Sequence, residues 1–180
     1  MPSLYEMMKL NILMTFNLAT GLQLITKSSI PDISPKQLHS FVATPTNWPR
    51  IVASSHSVKK VSSTENDVNR PLKIGERVEE LFGLPPLFPL SVTWECVKSD
   101  PNDGIIEFFS SSGVPLIANE CAMKFKINPS INGGSDIELQ MEFQPHNPII
   151  LLSVPFLNLD NDLALKVLLP NAIRHDQVSS

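Results

Sequence analysis

The chain has 180 residues, 42% hydrophobic and 18% charged, so it can bury the core of one domain and is not disordered by composition. The formal net charge is -4, and the lysines and arginines are scattered, which excludes the basic stripe of a nucleic-acid-binding protein. Two cysteines, Cys96 and Cys121, are too few for a disulfide scaffold, and their apolar neighbours predict small buried side chains in a reducing intracellular compartment, cytoplasm or organelle.

The first 19 residues are interpreted as an extension ahead of one domain that spans residues 20–177. Lys9 precedes an apolar run over 10–16, as in a signal or transit segment, but Asn11 and Asn17 interrupt the pattern and no small-residue cleavage site follows. A targeting remnant is therefore one interpretation of this extension, and an extra helix or a poorly ordered start ahead of the domain is the alternative. No apolar run approaches the roughly 20 residues that a membrane-spanning helix needs.

The domain begins with a predicted strand over 22–26 and a helix over 34–42. Ser34 is a good N-cap, Pro35 occupies the tolerated first helical position, and apolar residues share one face of the helix, namely Leu38, Phe41 and Val42. The proline-rich stretch 44–49, which contains Trp48, opens a second short helical turn.

Period-two alternation then predicts a run of antiparallel strands over residues 58–63, 74–82, 90–97, 104–109, 121–127 and 137–143. Asn132, Gly133 and Gly134 join the last two strands as a hairpin turn. Apolar and polar residues alternate cleanly in these two strands, which indicates a sheet with one covered face and one wet face.

A closing helix is predicted over 157–169, with Leu159, Leu163 and Val167 towards the sheet. Asp160 lies near its start, where a helix N-terminus favours anions. Pro155 precedes the segment and Pro170 follows it, so a short helix is expected.

This order of elements, together with four local motifs, resembles the START-like superfamily (SRPBCC, polyketide-cyclase and lipid-transport type). The motifs are Asn47-Trp48-Pro49-Arg50, the stretch 71–77, the stretch 92–97 followed by Asp100-Pro101, and the stretch 133–139. The resemblance covers residues 20–170. Two departures are visible: Ile51 stands where the family often has a second tryptophan, and the closing helix is short.

The resemblance implies an α+β helix-grip fold, a curved antiparallel sheet wrapped around a C-terminal helix with two short helices after the first strand. Proteins of this family hold a small hydrophobic ligand such as a lipid, isoprenoid, pigment or polyketide in the gap between sheet and helix. Binding would come mainly from the burial of apolar ligand surface, with a few polar groups that set orientation. No cofactor is expected.

The cavity is expected to be lined by inward residues of the strands and the closing helix. They are Val78, Phe82, Trp94, Met123, Phe125, Leu139, Met141, Phe143, Leu163 and Val167. The alternative is that the same residues pack against the helix and leave no void.

Glu80 is the most interesting charge, because it shares a strand face with Val78 and Phe82. If it points inward, burial raises its pKa and makes it a ligand anchor or a general acid/base; the alternative register turns Leu81 inward instead. Arg77 is the other catalytic candidate. The sequence contains no spacing of His and Cys typical of a metal site and no Gly-x-Ser-x-Gly elbow, so no metal is expected.

Three functions compete at this point. The first is binding or transport of a small hydrophobic ligand, the second is a cyclase/dehydratase-type enzyme that uses the same cavity, and the third is a module whose apolar groove binds a protein partner. The apolar stretch 148–157 adds an expectation of transient membrane contact, or of a buried connection across the end of the sheet. The oligomeric state is left open.

Overall fold

The computed structural model describes residues 21–61, 68–83, 90–115, 118–145 and 154–179. Its strands are β1 Leu22–Ile30, β2 Ser55–Lys60, β3 Arg77–Phe82, β4 Leu90–Asp100, β5 Ile105–Ser110, β6 Ala118–Pro129 and β7 Ser135–Pro145. Between β1 and β2 lie α1 Pro35–Ala43, a 3₁₀ turn Pro45–Asn47 and α2 Trp48–Ile51. After β7 come α3 Val154–Leu163, a π-helical segment Ala164–Leu168 and α4 Leu169–Ser179. The predicted extension 1–19 and residues 148–153 of the apolar stretch lie outside the described residues.

The seven strands form one sheet in the order β1-β7-β6-β5-β4-β3-β2, and every neighbouring pair is antiparallel. Side chains alternate between the two faces, as in β1, where Leu22 and Leu24 are buried while Gln23 and Ile25 are exposed. The helices after β1 and the C-terminal helix cover the apolar face. The predicted α+β helix-grip fold is therefore confirmed.

The turn between β6 and β7 depends on glycine at one position. Gly134 has a φ of +78°, and a Cβ there would lie 2.3 Å from the carbonyl oxygen of Ile30. Only glycine permits this left-handed conformation and this close backbone approach. Next to it, Ser135 Oγ donates a hydrogen bond of 2.8 Å to the Ile33 carbonyl, so the turn anchors β7 beside the end of β1.

The two short helices hold one wall of the core. The predicted N-cap is confirmed, because Gln37 N–H donates to Ser34 Oγ at 3.3 Å and Ser34 N–H donates to Gln37 Oε1 at 3.2 Å. Trp48 is 4% exposed and donates its indole N–H to the Val42 carbonyl at 2.9 Å. Its ring meets Phe108 of β5 edge to face at a centroid distance of 5.1 Å, so it ties α2 to the sheet.

The expectation that Pro155 and Pro170 bound a short closing helix is wrong. Residues 154–179 run as continuous helical backbone, in which Pro155 lies in the first turn and Pro170 lies inside. A proline in a helix interior lacks the N–H that would bond to the carbonyl four residues earlier, here that of Lys166. Leu169 N–H instead bonds to the Ala164 carbonyl across a wider π turn, which makes room for the proline ring.

The predicted inward face of this helix is also wrong. Leu159 is 66% exposed and Val167 is 45% exposed, and Leu163 is only partly buried. The buried face carries Val154, Asn161, Ala164, Leu165, Leu169 and Ile173. A polar residue in the middle of this face hid it from a search for apolar periodicity.

Both cysteines are buried free thiols, and burial raises their pKa to about 11 for Cys96 and about 12 for Cys121. They therefore stay protonated and act as small apolar side chains of the core. In the part of the chain described here, no helix is long and apolar enough to cross a membrane.

Candidate functional site

A cavity lies between the apolar face of the sheet and the C-terminal helix, and its volume is about 100 Å³. Strands β3, β4, β6 and β7 supply one wall, and α3 with the π segment supplies the other. Of the ten residues expected to line it, seven do so: Phe82, Trp94, Met123, Phe125, Leu139, Met141 and Phe143. Ile51 also lines the cavity.

The other three expected residues are not in the cavity wall. Val78 is completely buried in the core. Leu163 and Val167 point away, because the helix presents Leu157, Ala164 and Leu165 to the cavity instead.

Glu80 points inward. It is 8% exposed, whereas Leu81 is 38% exposed, so the strand register that buries the carboxyl is the one adopted. Its Oε2 accepts a hydrogen bond of 2.8 Å from the indole N–H of Trp94 on the neighbouring strand. Burial raises the pKa of Glu80, and the negative charge of Asp160 acts in the same direction, while Trp94 and Ser55 oppose the shift.

Asp160 is the second carboxyl in the cavity wall, and it comes from α3. Both of its oxygens are engaged by one residue in the turn before β2. Ser54 Oγ donates to Oδ2 at 2.6 Å, and Ser54 N–H donates to Oδ1 at 3.3 Å. These bonds fix the carboxylate and join the closing helix to the start of β2.

Asn161, the next residue of the helix, also lines the cavity and is 7% exposed. Its Nδ2 is buried and has no hydrogen-bond partner among the described residues. The hydroxyl of Ser55, near Glu80, likewise makes no hydrogen bond of good geometry there. A buried donor without a partner costs about 1–3 kcal/mol, so such groups are rare unless something else binds them.

Arg77, the other catalytic candidate, lies on the opposite face of the sheet. Its side chain is 57% exposed and pairs with Glu95, with Nη2 2.6 Å from Oε2. It does not line the cavity, so the structure separates it from Glu80. Among the described residues, no three His, Cys, Asp or Glu side chains come together in a group that could hold a metal ion.

Ser54, Asp160 and Asn161 are cavity residues that the sequence pattern did not predict. The local sequence pattern accounts for Asp160 as a favourable anion near the start of the helix. It does not predict any role for Asn161. A usable signal was the four-residue spacing of Asn161, Leu165 and Leu169, which places the amide in an apolar stripe.

Solved structures with a similar backbone settle the fold. TTHA0849 from Thermus thermophilus is 13% identical, with a TM-score of 0.65 over 85% of this chain and 98% of that one. Norcoclaurine synthase from Thalictrum flavum is 10% identical, with a TM-score of 0.59 over 91% of this chain and 94% of that one. The chain has the START-like fold.

A third structure with the START-like fold is the di-domain ARO/CYC protein BexL of the BE-7585A biosynthetic pathway. It is 16% identical, with a TM-score of 0.59 over 80% of this chain and 45% of that one. By sequence, no family model and no curated protein matches this chain. Identities this low show the START-like fold alone, so function has to be inferred from the cavity itself.

Proposed function

We propose that the protein binds a small, largely apolar molecule in the cavity between the sheet and the C-terminal helix. The observation that carries this proposal is a void walled by apolar side chains, into which a few polar groups converge. Ligand sites in proteins have this composition, in which apolar surface provides affinity and the polar groups provide orientation.

The size of the cavity limits the ligand. A volume of about 100 Å³ is below the roughly 300–1,000 Å³ of most ligand pockets and suits a compound of about one ring. A larger ligand would displace flexible side chains of the wall. Met123 and Met141 are partly buried and have three rotatable bonds each, so they are the residues expected to move first.

Two measurements test this proposal. Native mass spectrometry followed by denaturation identifies any small molecule that leaves the purified protein, and a co-purifying apolar compound supports binding. Titration with ethylbenzene, followed through the methyl resonances of Met123 and Met141, tests the empty protein. Ala164→Phe fills the cavity and should abolish these shifts, whereas Ala53→Phe, in an exposed turn, is the matched control. A protein that carries no small molecule and shows no methyl shift contradicts the proposal.

A second candidate function is proton transfer to a bound substrate, as in a cyclase or dehydratase. Its support is that Glu80 and Asp160 line the same cavity from its two walls, while burial keeps Glu80 protonated to higher pH than an exposed glutamate. Glu80 would be the proton donor and Asp160 the fixed negative charge. Glu80→Gln should then abolish turnover without loss of binding, and unchanged turnover of an accepted substrate contradicts this role.

A further inference from the structure

The Nδ2 group of Asn161, which has no hydrogen-bond partner among the described residues, indicates what kind of polar group the cavity accepts. Its Nδ2 can donate two hydrogen bonds and accept none, and it makes none within the described residues. The amide is 7% exposed and belongs to the cavity wall, so a group that satisfies it must enter the cavity. That group has to be a hydrogen-bond acceptor.

The charges around the cavity restrict the acceptor further. The described residues of its wall include Glu80 and Asp160 but no lysine, arginine or histidine. Asp160 already accepts two hydrogen bonds from Ser54. A ligand carboxylate would therefore meet this charge at close range in a wall that offers it no compensating cation.

A cationic ligand fits the amide no better. A protonated amine carries only donors, so it could pair with a carboxylate but would leave Asn161 Nδ2 facing another donor. A neutral oxygen avoids both penalties. A protonated Glu80 would add a second donor to the lining of the cavity, and burial, which raises the pKa of Glu80, favours this form.

We infer that the cavity selects neutral apolar ligands that carry a carbonyl or hydroxyl oxygen, which accepts a hydrogen bond from Asn161 Nδ2, and that it discriminates against carboxylates and amines. This inference rests on the proposed binding function and specifies the ligand class of the same cavity. Asn161 is its specificity-determining residue.

The test uses one-ring compounds of similar shape: ethylbenzene, acetophenone, 1-phenylethylamine and benzoate. Dissociation constants are measured by nuclear magnetic resonance for the wild-type protein, for Asn161→Leu, and for Asn171→Leu, an exposed asparagine on the same helical run that serves as the control. In Asn161→Leu, acetophenone should lose about 3- to 10-fold in affinity, the value of one hydrogen bond, while ethylbenzene loses none. Asn171→Leu should change neither. In the wild-type protein, benzoate and 1-phenylethylamine should bind at least about tenfold more weakly than acetophenone.

A second measurement does not depend on the fold of the variant. In the wild-type protein, the side-chain amide protons of Asn161 should shift downfield on addition of acetophenone but not of ethylbenzene. Equal losses for acetophenone and ethylbenzene, or tighter binding of benzoate or the amine, overturn the inference while the binding function stands. If none of the four compounds binds, the proposed function itself fails and the inference fails with it.

Discussion

Trp94→Phe removes the indole N–H that donates to Glu80 and leaves the carboxyl with one partner fewer in a buried site. Trp48→Phe is the matched control, because Trp48 is buried to the same degree and donates at 2.9 Å to the Val42 carbonyl, which does not ionise. Both variants lose a similar part of an indole ring and one hydrogen bond. They differ in one respect, which is whether the acceptor can carry a charge.

The expected cost of Trp94→Phe therefore depends on pH. A hydrogen bond between neutral groups contributes about 0.5–1.5 kcal/mol, and one to a charged group about 1.5–3 kcal/mol. At pH 4.5, which equals the ordinary pKa of a glutamate, Glu80 is neutral in the folded protein, and it ionises only when the pH exceeds its raised pKa. We therefore compare the loss of stability in Trp94→Phe with that in Trp48→Phe at each pH. The difference between the two losses should be about 1 kcal/mol larger in alkaline than in acid solution.

The assay is urea denaturation followed by far-ultraviolet circular dichroism, from pH 4.5 to about pH 9, on both variants and the wild-type protein. The same substitution at Trp94 in a Glu80→Gln background should cost a constant amount, because the amide does not ionise. If the difference between Trp94→Phe and Trp48→Phe does not change across this range, the buried carboxyl does not ionise against the indole and the reasoning is refuted.

Three further predictions concern stability. Glu80→Gln should be more stable than the wild-type protein in alkaline solution and equal to it in acid. Because the pKa of Glu80 is raised in the folded state, the wild-type protein loses up to about 1.4 kcal/mol of stability per pH unit as pH rises from the unfolded-state pKa towards the folded-state pKa. Curves of stability against pH that run parallel for the two proteins contradict this prediction. Glu76 should have the opposite effect, because the side chains of Arg70 and Lys60 and the backbone N–H of Lys73 lower its pKa to about 2. Its contribution to folding stability, about 2–3 kcal/mol, is present above pH 4.5 and is lost as pH falls through about 2. In Glu76→Gln, this loss of stability should be absent from acid titrations. Gly104→Ala should destabilise the protein by more than about 3 kcal/mol in thermal denaturation, because the new Cβ would lie 1.9 Å from the Ile127 carbonyl oxygen. Gly133→Ala should cost only about 1 kcal/mol of backbone strain, because a Cβ there has no other atom within 4 Å. Similar losses for the two variants contradict this reasoning.

The sheet was predictable because its two faces alternate residue by residue in the sequence. In β7, Ile137 and Leu139 are buried, and Glu138 between them lies on the other face. The register of β3 was harder to predict, because Glu80 and Leu81 offered two choices of inward residue. The structure resolves it through Val78 and Trp94, which pair across the strands on the buried face and turn Glu80 inward with them.

The helical wall was not predictable by the same rules. Pro170 signals the end of a helix in most contexts, and only tertiary packing of the residues beyond it keeps the helix running. Asn161 sits in a polar stretch of the sequence, so its burial follows from the cavity and not from local pattern. The functional candidates missed at the sequence level are thus residues at which local preference and global packing disagree, as is expected at sites that bind something.

The π segment also accounts for one residue in the length of the C-terminal helix. Asn161, Leu165, Leu169 and Ile173 are buried at intervals of four residues, a spacing that advances about 40° around an α-helix at each step. A turn closed by a bond across five residues holds one residue more than an α-helical turn and absorbs part of that advance. Removal of one residue at the exposed Lys166 would turn this bond into an ordinary α-helical one, and Leu169 and Ile173 would still face the core. The extra residue thus behaves as an insertion that one wide turn accommodates, and proteins of this fold with a regular helix here should be one residue shorter at this point.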